Sequence, residues 1–226
     1  MISLSCGLDE AGRGPGAGPL VVCCCALTNS QAEVASLLGV TDSKILNSDK
    51  RLSLLASLNI FPKKLTSSFV YSSPFYFCLE VVEVETIEVH NILKSTYLAF
   101  SLALKNLLQE IQAKNEENKG QNYETSEITI DGNPPPTNYL SFLPFSFPSS
   151  VKFMPKADLN GPVAVALSSL IAKEYRDHLM AQYSLVYPNY FFENHKGYLT
   201  KQHISALKQW GLSPIHRPSF CTKFLS

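Results

Sequence analysis

The sequence lacks the features that announce several whole classes of protein. Its longest unbroken apolar run, Leu20–Leu27, falls far short of the roughly 20 residues that a bilayer-spanning helix needs. No Cys-x-x-C occurs among the six cysteines, so structural zinc and thioredoxin-like chemistry have no support. Gly-Lys-Ser/Thr is missing, no internal repeat is present, and no linker cleanly divides the chain. The N-terminus has no cationic start and meets Asp9 and Glu10 before any signal-like apolar core, which argues against a secretory leader. Net charge is also absent, with 19 basic against 19 acidic residues, so bulk charge advertises no polyanionic partner. These absences suit a cytoplasmic protein with no membrane association. Cys23, Cys24 and Cys25 then read as small buried apolar residues of a strand, pointing alternately to its two faces.

What is present describes a globular chain: 226 residues, 45% hydrophobic, 11% aromatic and 17% charged. Charge is unevenly spread. Residues 1–150 carry 10 Lys and Arg against 15 Asp and Glu, whereas residues 151–226 carry 9 against 4 and hold four of the five histidines. Apolar alternation predicts a strand over 3–9, then a glycine-rich turn over 12–18 and a fully buried strand over 19–27, which together form a hairpin. A short helix is expected over 49–58 with Ser48 as its N-cap, and strands over 69–71 and 75–84 on either side of Pro74. The clearest helix covers 92–111, where Leu93, Tyr97, Phe100, Leu104, Leu107, Leu108 and Ile111 make one apolar stripe. A polar, mobile loop is expected over 113–127, a short strand over 128–131, and irregular chain over 134–150, which has five prolines. Another strand at 151–154 precedes a helix over 161–183, whose Ala/Ser-rich stretch 164–172 would lie close to a sheet. A last helix over 200–210 stops at Gly211, and a Pro-rich tail follows. Strands first, then alternating helix and strand, point to one α/β domain: a mixed sheet covered by helices, with a helical C-terminal extension.

The glycine stretch imitates a phosphate loop but leads into a strand instead of a helix, which argues against a nucleotide-cofactor site. Its glycines would bring backbone unusually close to a ligand. Asp9 and Glu10, Asp131, and Asp158 each stand at a predicted strand end. Each acid on its own would serve as a turn cap. Gathered at one sheet edge, they would raise one another's pKa until a cation neutralised them, and hard oxygen donors suit Mg²⁺ or Mn²⁺. Two such ions would support phosphodiester hydrolysis.

Asp9-Glu10-Ala11-Gly12-Arg13-Gly14-Pro15, directly after a strand, resembles the signature of type 2 ribonuclease H, the ribonuclease HII family. The likeness runs in order through Thr41-Asp42-Ser43-Lys44, Lys50-Arg51, Asn91-Ile92-Leu93, Asp131-Gly132-Asn133 and Lys156-Ala157-Asp158. It continues through Ser169-Leu170-Ile171-Ala172-Lys173, Arg176-Asp177, His195-Lys196-Gly197-Tyr198 and His216-Arg217-Pro218-Ser219-Phe220. The resemblance implies a ribonuclease H-like fold with a mixed five-stranded sheet, a catalytic core over 1–185 and a helical extension over 186–226. It implies a monomeric, Mg²⁺- or Mn²⁺-dependent endonuclease acting on RNA–DNA hybrids and on duplex DNA containing ribonucleotides. Such an enzyme cuts 5′ of single embedded ribonucleotides and leaves 3′-hydroxyl and 5′-phosphate ends. Asp9, Glu10, Asp131 and Asp158 match the metal-binding catalytic acids. Gly12, Arg13 and Gly14 match the tripeptide that senses the ribose 2′-hydroxyl, the group that distinguishes RNA from DNA. Tyr198 matches the tyrosine that packs on the neighbouring sugar. Ser43, Lys44, Lys173 and Arg176 fall in blocks associated with phosphate contacts and site support. Two alternatives stay open: a ribonuclease HIII-like enzyme, against which Arg13 and the position of Asp9 speak, and a silent nucleic-acid-binding module on the same fold.

Three departures from the family pattern stand out. Ala157 replaces a glycine before the fourth acid, and Pro218 stands where a second arginine is common. The stretches 59–75 and 134–150 are longer than typical and are expected to extend surface loops.

Overall fold

A computed structural model describes the whole chain apart from Asp42, Lys44, Ser73, Pro74, residues 118–121 and Ser226. In chain order the elements are β1 (Ile2–Ala11), β2 (Leu20–Leu27), α1 (Asn29–Leu38), α2 (Ser48–Ser57), β3 (Val70–Tyr71), β4 (Tyr76–Val82), α3 (Val84–His90) and α4 (Ile92–Glu117). There follow β5 (Tyr123–Asp131), α5 (Thr137–Leu140), β6 (Val151–Met154), α6 (Ala157–Asn160), α7 (Val163–Val186), α8 (Phe192–His195), α9 (Lys201–Trp210) and α10 (Pro218–Cys221).

The sheet is mixed and six-stranded, in the order β3-β4-β2-β1-β5-β6. β1, β2, β4 and β3 pair antiparallel, whereas β5 runs parallel to β1 and β6 parallel to β5. The resemblance implies five strands; the sixth is the two-residue β3, within the stretch 69–71 that its residues mark as a strand, and it adds an edge to β4 through Tyr71 stacked on Phe77 at 4.6 Å.

Both faces are covered, and the cysteine run shows how. Val21, Cys23, Cys25 and Leu27 enter the core beneath α7, while Leu20, Val22, Cys24 and Ala26 enter the core beneath α4. All six cysteines are free and buried. On β1, Leu4, Cys6 and Leu8 point to the α4 side. The opposite side meets α7 at Gly7, where a Cβ would lie 2.2 Å from the backbone nitrogen of Val165. The Ala/Ser-rich stretch of α7 is what permits this approach, and the Ser168 hydroxyl donates to the Gly7 carbonyl (2.8 Å).

Several boundaries differ from the sequence reading, each for a local reason. The cap of α2 is Asn47, not Ser48; its Oδ1 accepts from the Lys50 amide (2.9 Å). α1 and α3 were not expected. Asn91, at φ 64°, turns the chain between α3 and α4 and caps α4 by accepting from the Lys94 amide (3.0 Å). The polar stretch over 113–127 is not a loop throughout: α4 continues to Glu117 and β5 begins at Tyr123. Asn115 joins the two ends, donating to the Tyr123 carbonyl and accepting from its amide, both at 2.7 Å. The middle of that stretch, like Pro74, lies outside the described residues. The Pro-rich stretch over 134–150 lies at the surface as expected but is not irregular throughout, because Pro136 leads into the short helix α5, and its half-buried residues cover the core. Tyr139, Leu143, Phe145 and Phe147 pack on the α4-side core, and the Ser101 hydroxyl donates to the Phe145 carbonyl (2.6 Å).

The helical C-terminal region has its own small core of Met180, Tyr190, Phe192, Leu207 and Cys221. Three histidines are buried inside it: His195, His203 and His216. The Tyr198 carbonyl can only accept, so His203 Nδ1 carries the proton of their 3.0 Å contact. His203 Nε2 then accepts from His216 Nε2 (2.9 Å), and His216 Nδ1 accepts from the Ser213 amide (2.8 Å). The chain of bonds closes only with both rings neutral. Burial first, then the neighbouring rings, lowers both imidazoles from 6.5 to about 4. Above about 6.5 the unfolded chain also keeps them neutral; between 6.5 and about 4 it binds protons that the folded chain refuses. Unfolding free energy is therefore expected to fall as pH drops through that window. Urea titrations at stepped pH should show a shallower fall in His216→Gln, which keeps an Nε2 donor; an identical slope in the variant would refute the assignment.

Candidate active site

The site is built where β1 and β5 end on the same edge of the sheet. A cavity of about 210 Å³ opens there, lined among others by Asp9, Glu10, Gly12, Arg13, Gly14, Ser43, Asp131, Ser169, Lys173 and Tyr198. β1 remains a strand through Ala11, so its alternation persists instead of breaking at the acids. Asp9 consequently meets Ser169 of α7, whereas Glu10 meets the field of Tyr97 on α4. Both carboxyls still reach the cavity because it opens at the strand's end.

Asp9 is 4% exposed. Burial, then the charges of Glu10 and Asp131, push its carboxyl well above the usual range; bonds from Ser169 and from the Glu10 amide (2.7 Å) oppose that push. Ser169 Oγ lies 2.9 Å from Ser43 Oγ, so the two hydroxyls form a short relay behind Asp9. Asp131 Oδ1 accepts from the Ala157 amide (2.7 Å), and this bond brings α6 against the end of β5. Ala157, which replaces the family's glycine, sits directly after Lys156 in a left-handed conformation (φ 62°). Asp158 is the next residue and is buried, but it does not line the cavity that the other three acids share. Glu10 forms an ion pair with Arg13 at 3.2 Å on the cavity rim.

The glycine turn is held from within by two guanidinium groups. Arg176 donates to the carbonyls of Pro19 (2.9 Å), Ala17 (3.0 Å) and Lys196 (2.9 Å). Arg217 donates to the carbonyls of Gly12 (2.7 Å), Arg13 (3.2 Å) and Gly18 (2.7 and 3.0 Å). Burial lowers Arg176 to about 10; burial and then the charge of Arg176 lower Arg217 to about 9, so both stay cationic at neutral pH. The sequence reading places Arg176 beside Lys173 on a helix face against phosphates. Arg176 lines the cavity with Lys173 but is 1% exposed, and its guanidinium donates to backbone carbonyls. Lys173 lines the cavity and pairs with Asp177. Arg51 pairs with Glu174 and donates to the carbonyls of Ser43 (3.2 Å) and Leu46 (2.6 Å), tying the Ser43 segment to α7. Lys44 lies outside the described residues. Tyr198 is 48% exposed and stands over Gly14, where an added Cβ would be 3.6 Å from its ring.

Ser169, Arg51 and Arg217 stand in the family-like sequence blocks, where nothing local gives them individual roles. Their contacts join residues more than a hundred positions apart, for example 126 between Ser43 and Ser169, and no local pattern reports such pairs.

Among the described residues, no group of three or more His, Cys, Asp or Glu side chains forms a ready-made metal site. The chemistry of the donors nonetheless fits a divalent cation. Three carboxylates share one cavity, and the Asp9 carboxyl resists ionisation because of burial and then its acidic neighbours, a cost that a cation would offset.

A family model described as Ribonuclease HII matches residues 6–223. Ribonuclease HII of Treponema denticola is 35% identical over 221 residues, covering 97% of this chain and 99% of that protein. Among solved structures, ribonuclease H2 from Pyrococcus horikoshii OT3 superposes with a TM-score of 0.64 at 22% identity, covering 98% of this chain and 97% of that one. Bst-RNase HIII in complex with Mn²⁺ superposes with a TM-score of 0.70 at 19% identity, covering 98% and 69% respectively.

The turn makes unequal demands on its glycines. Gly12 has φ +104°, and a Cβ there would lie 2.3 Å from Arg176 Nε and 2.8 Å from the Pro19 carbonyl. At Gly14, among the described residues, the nearest atom beyond its chain neighbours is on Tyr198, at ordinary contact distance. Gly12→Ala is expected to cost about 3 kcal/mol or more by combining backbone strain with overpacking, and Gly14→Ala under about 1 kcal/mol. Equal losses for the two variants in urea denaturation would contradict this account.

Proposed function

This chain belongs to the ribonuclease HII family and is an endoribonuclease with ribonuclease H activity; on that premise we propose that it incises duplex DNA 5′ of single embedded ribonucleotides, leaving 3′-hydroxyl and 5′-phosphate ends, and cuts the RNA strand of RNA–DNA hybrids. The observation that carries the reading is the meeting of three acids, a glycine turn and an exposed tyrosine in one cavity at the ends of β1 and β5. Asp9, Glu10 and Asp131, with Asp158 alongside, would hold Mg²⁺ or Mn²⁺. A bound divalent ion supplies an activated water and stabilises the leaving oxygen of a phosphodiester.

The chain's own residues orient the substrate around that centre. The Ser43–Ser169 relay and the Ala157 amide fix the carboxyls of Asp9 and Asp131. Gly12, Arg13 and Gly14 present backbone, unshielded by side chains at the two glycines, to the ribose 2′-hydroxyl. Tyr198 offers a ring face to the adjoining sugar, and Lys173 with Ser43 faces the phosphates. Arg176 acts through the turn that it holds. The catalytic unit spans 1–185 and the extension 186–226 supplies Tyr198. This substrate places the chain in ribonucleotide excision repair, acting as a cytoplasmic monomer. No helix among the described residues is long and apolar enough to cross a membrane.

The test is a labelled DNA duplex carrying one ribonucleotide, incubated with Mg²⁺, with Mn²⁺ and with EDTA. Incision 5′ of the ribonucleotide in either metal, and none in EDTA, is expected. Asp9→Asn and Asp131→Asn should each lose at least about a hundredfold in rate, the scale set by a positioned catalytic group, while remaining folded. Binding without cutting in both metals would instead identify a silent nucleic-acid-binding module.

A further inference from the structure

One short segment of the C-terminal tail touches both walls of the proposed ribose site. Residues 215–217 lie along the glycine turn as an added strand: the Gly18 amide donates to the Ile215 carbonyl, the Arg217 amide donates to the Gly16 carbonyl, both at 2.8 Å, and Ala17 forms an antiparallel bridge with His216. From that backbone, two neighbouring side chains reach different walls. Arg217 takes the carbonyls of Gly12, Arg13 and Gly18. His216 passes a hydrogen bond through His203 to the carbonyl of Tyr198.

The first of these contacts has a directional consequence. In a planar trans peptide the N–H points opposite to the C=O. With the Gly12 and Arg13 carbonyls turned to Arg217, the amides of Arg13 and Gly14 point away from that guanidinium, and these three residues line the cavity while Arg217 does not. The guanidinium thus determines which face of the turn offers donors to a ligand. The other contact fixes the backbone of Tyr198, whose ring stands over Gly14.

We propose that His216 and Arg217 are positioning residues for ribose recognition, holding the glycine turn and Tyr198 in register from behind without touching the substrate. The proposal rests on the reading of the turn as a 2′-hydroxyl sensor and assigns its orientation to the tail. It also explains why two adjacent residues of a tail some 200 positions from the turn are both buried, Arg217 at 0% and His216 at 2% exposure.

The experiment measures binding, so it does not depend on turnover. Fluorescence anisotropy in Ca²⁺ compares one duplex carrying a single ribonucleotide with the all-DNA duplex of the same sequence. The wild type should prefer the ribonucleotide about tenfold, roughly one directed hydrogen bond. Arg217→Lys keeps the charge but loses the fork that spans three carbonyls. Its preference should collapse to within about twofold while the all-DNA affinity, set by phosphates, stays unchanged. A merely structural defect would weaken both duplexes equally. His216→Gln, which retains the donor to His203 but loses the ring, provides a second variant should Arg217→Lys not fold, and should reduce the preference several-fold. Full preference in a folded variant overturns the role of the tail. A wild type with no preference overturns the ribose-sensing turn, and the proposal with it.

Discussion

Everything in the site depends on keeping two guanidinium cations buried side by side. Burying an ion costs several kcal/mol unless its hydrogen bonds are met, and here they are met by carbonyls of the polypeptide itself. Seven donor contacts run from Arg176 and Arg217, six of them into the turn between β1 and β2 and one into the segment at Lys196. The glycine turn is therefore shaped around these two groups. Gly12 shows the converse constraint, since any side chain there would occupy the space of Arg176. Because one arginine comes from α7 and the other from the tail, the turn, the long helix and the C-terminal region form one connected support.

The acids press in the opposite direction. Asp9 lies in a buried position among like charges, and the hydroxyl of Ser169 and the neighbouring amide offset only part of that cost. The site thus carries cations committed to backbone on one side and, on the other, a buried carboxyl, Asp9, pushed up by burial and by its acidic neighbours. Such a distribution leaves the cavity poised for an added cation beside a rigid, donor-bearing turn. Asp158 enters this arrangement through its neighbour, because the Ala157 amide ties α6 to Asp131.

The sequence made the centre of the sheet legible through strong local signals: alternation over β1, the unbroken apolar run of β2, and the small-residue stretch of α7. Polar segments were harder to read. Residues 113–117 and 123–127 look like loop by composition. Yet the first extends α4 and the second pairs with β1, a ladder that holds it as a strand although its side chains are polar and none is fully buried. α3 escaped notice because seven residues give little periodicity. Composition marks the Pro-rich cover over 134–150 as irregular, yet it holds the one-turn helix α5, and only packing reveals that its aromatic residues seal a face of the core.

By itself, the sequence determined the two faces of the sheet, the acids at the strand ends, the glycine turn and the family to which these motifs belong, because each is written in contiguous residues. The tertiary structure alone decided that Arg176 grips backbone carbonyls, that Ser169 backs Asp9, and that His216 and Arg217 close on a turn at the far end of the chain. Those outcomes turn on how a buried charge finds its acceptors, and the acceptors are brought within reach only when distant segments pack together.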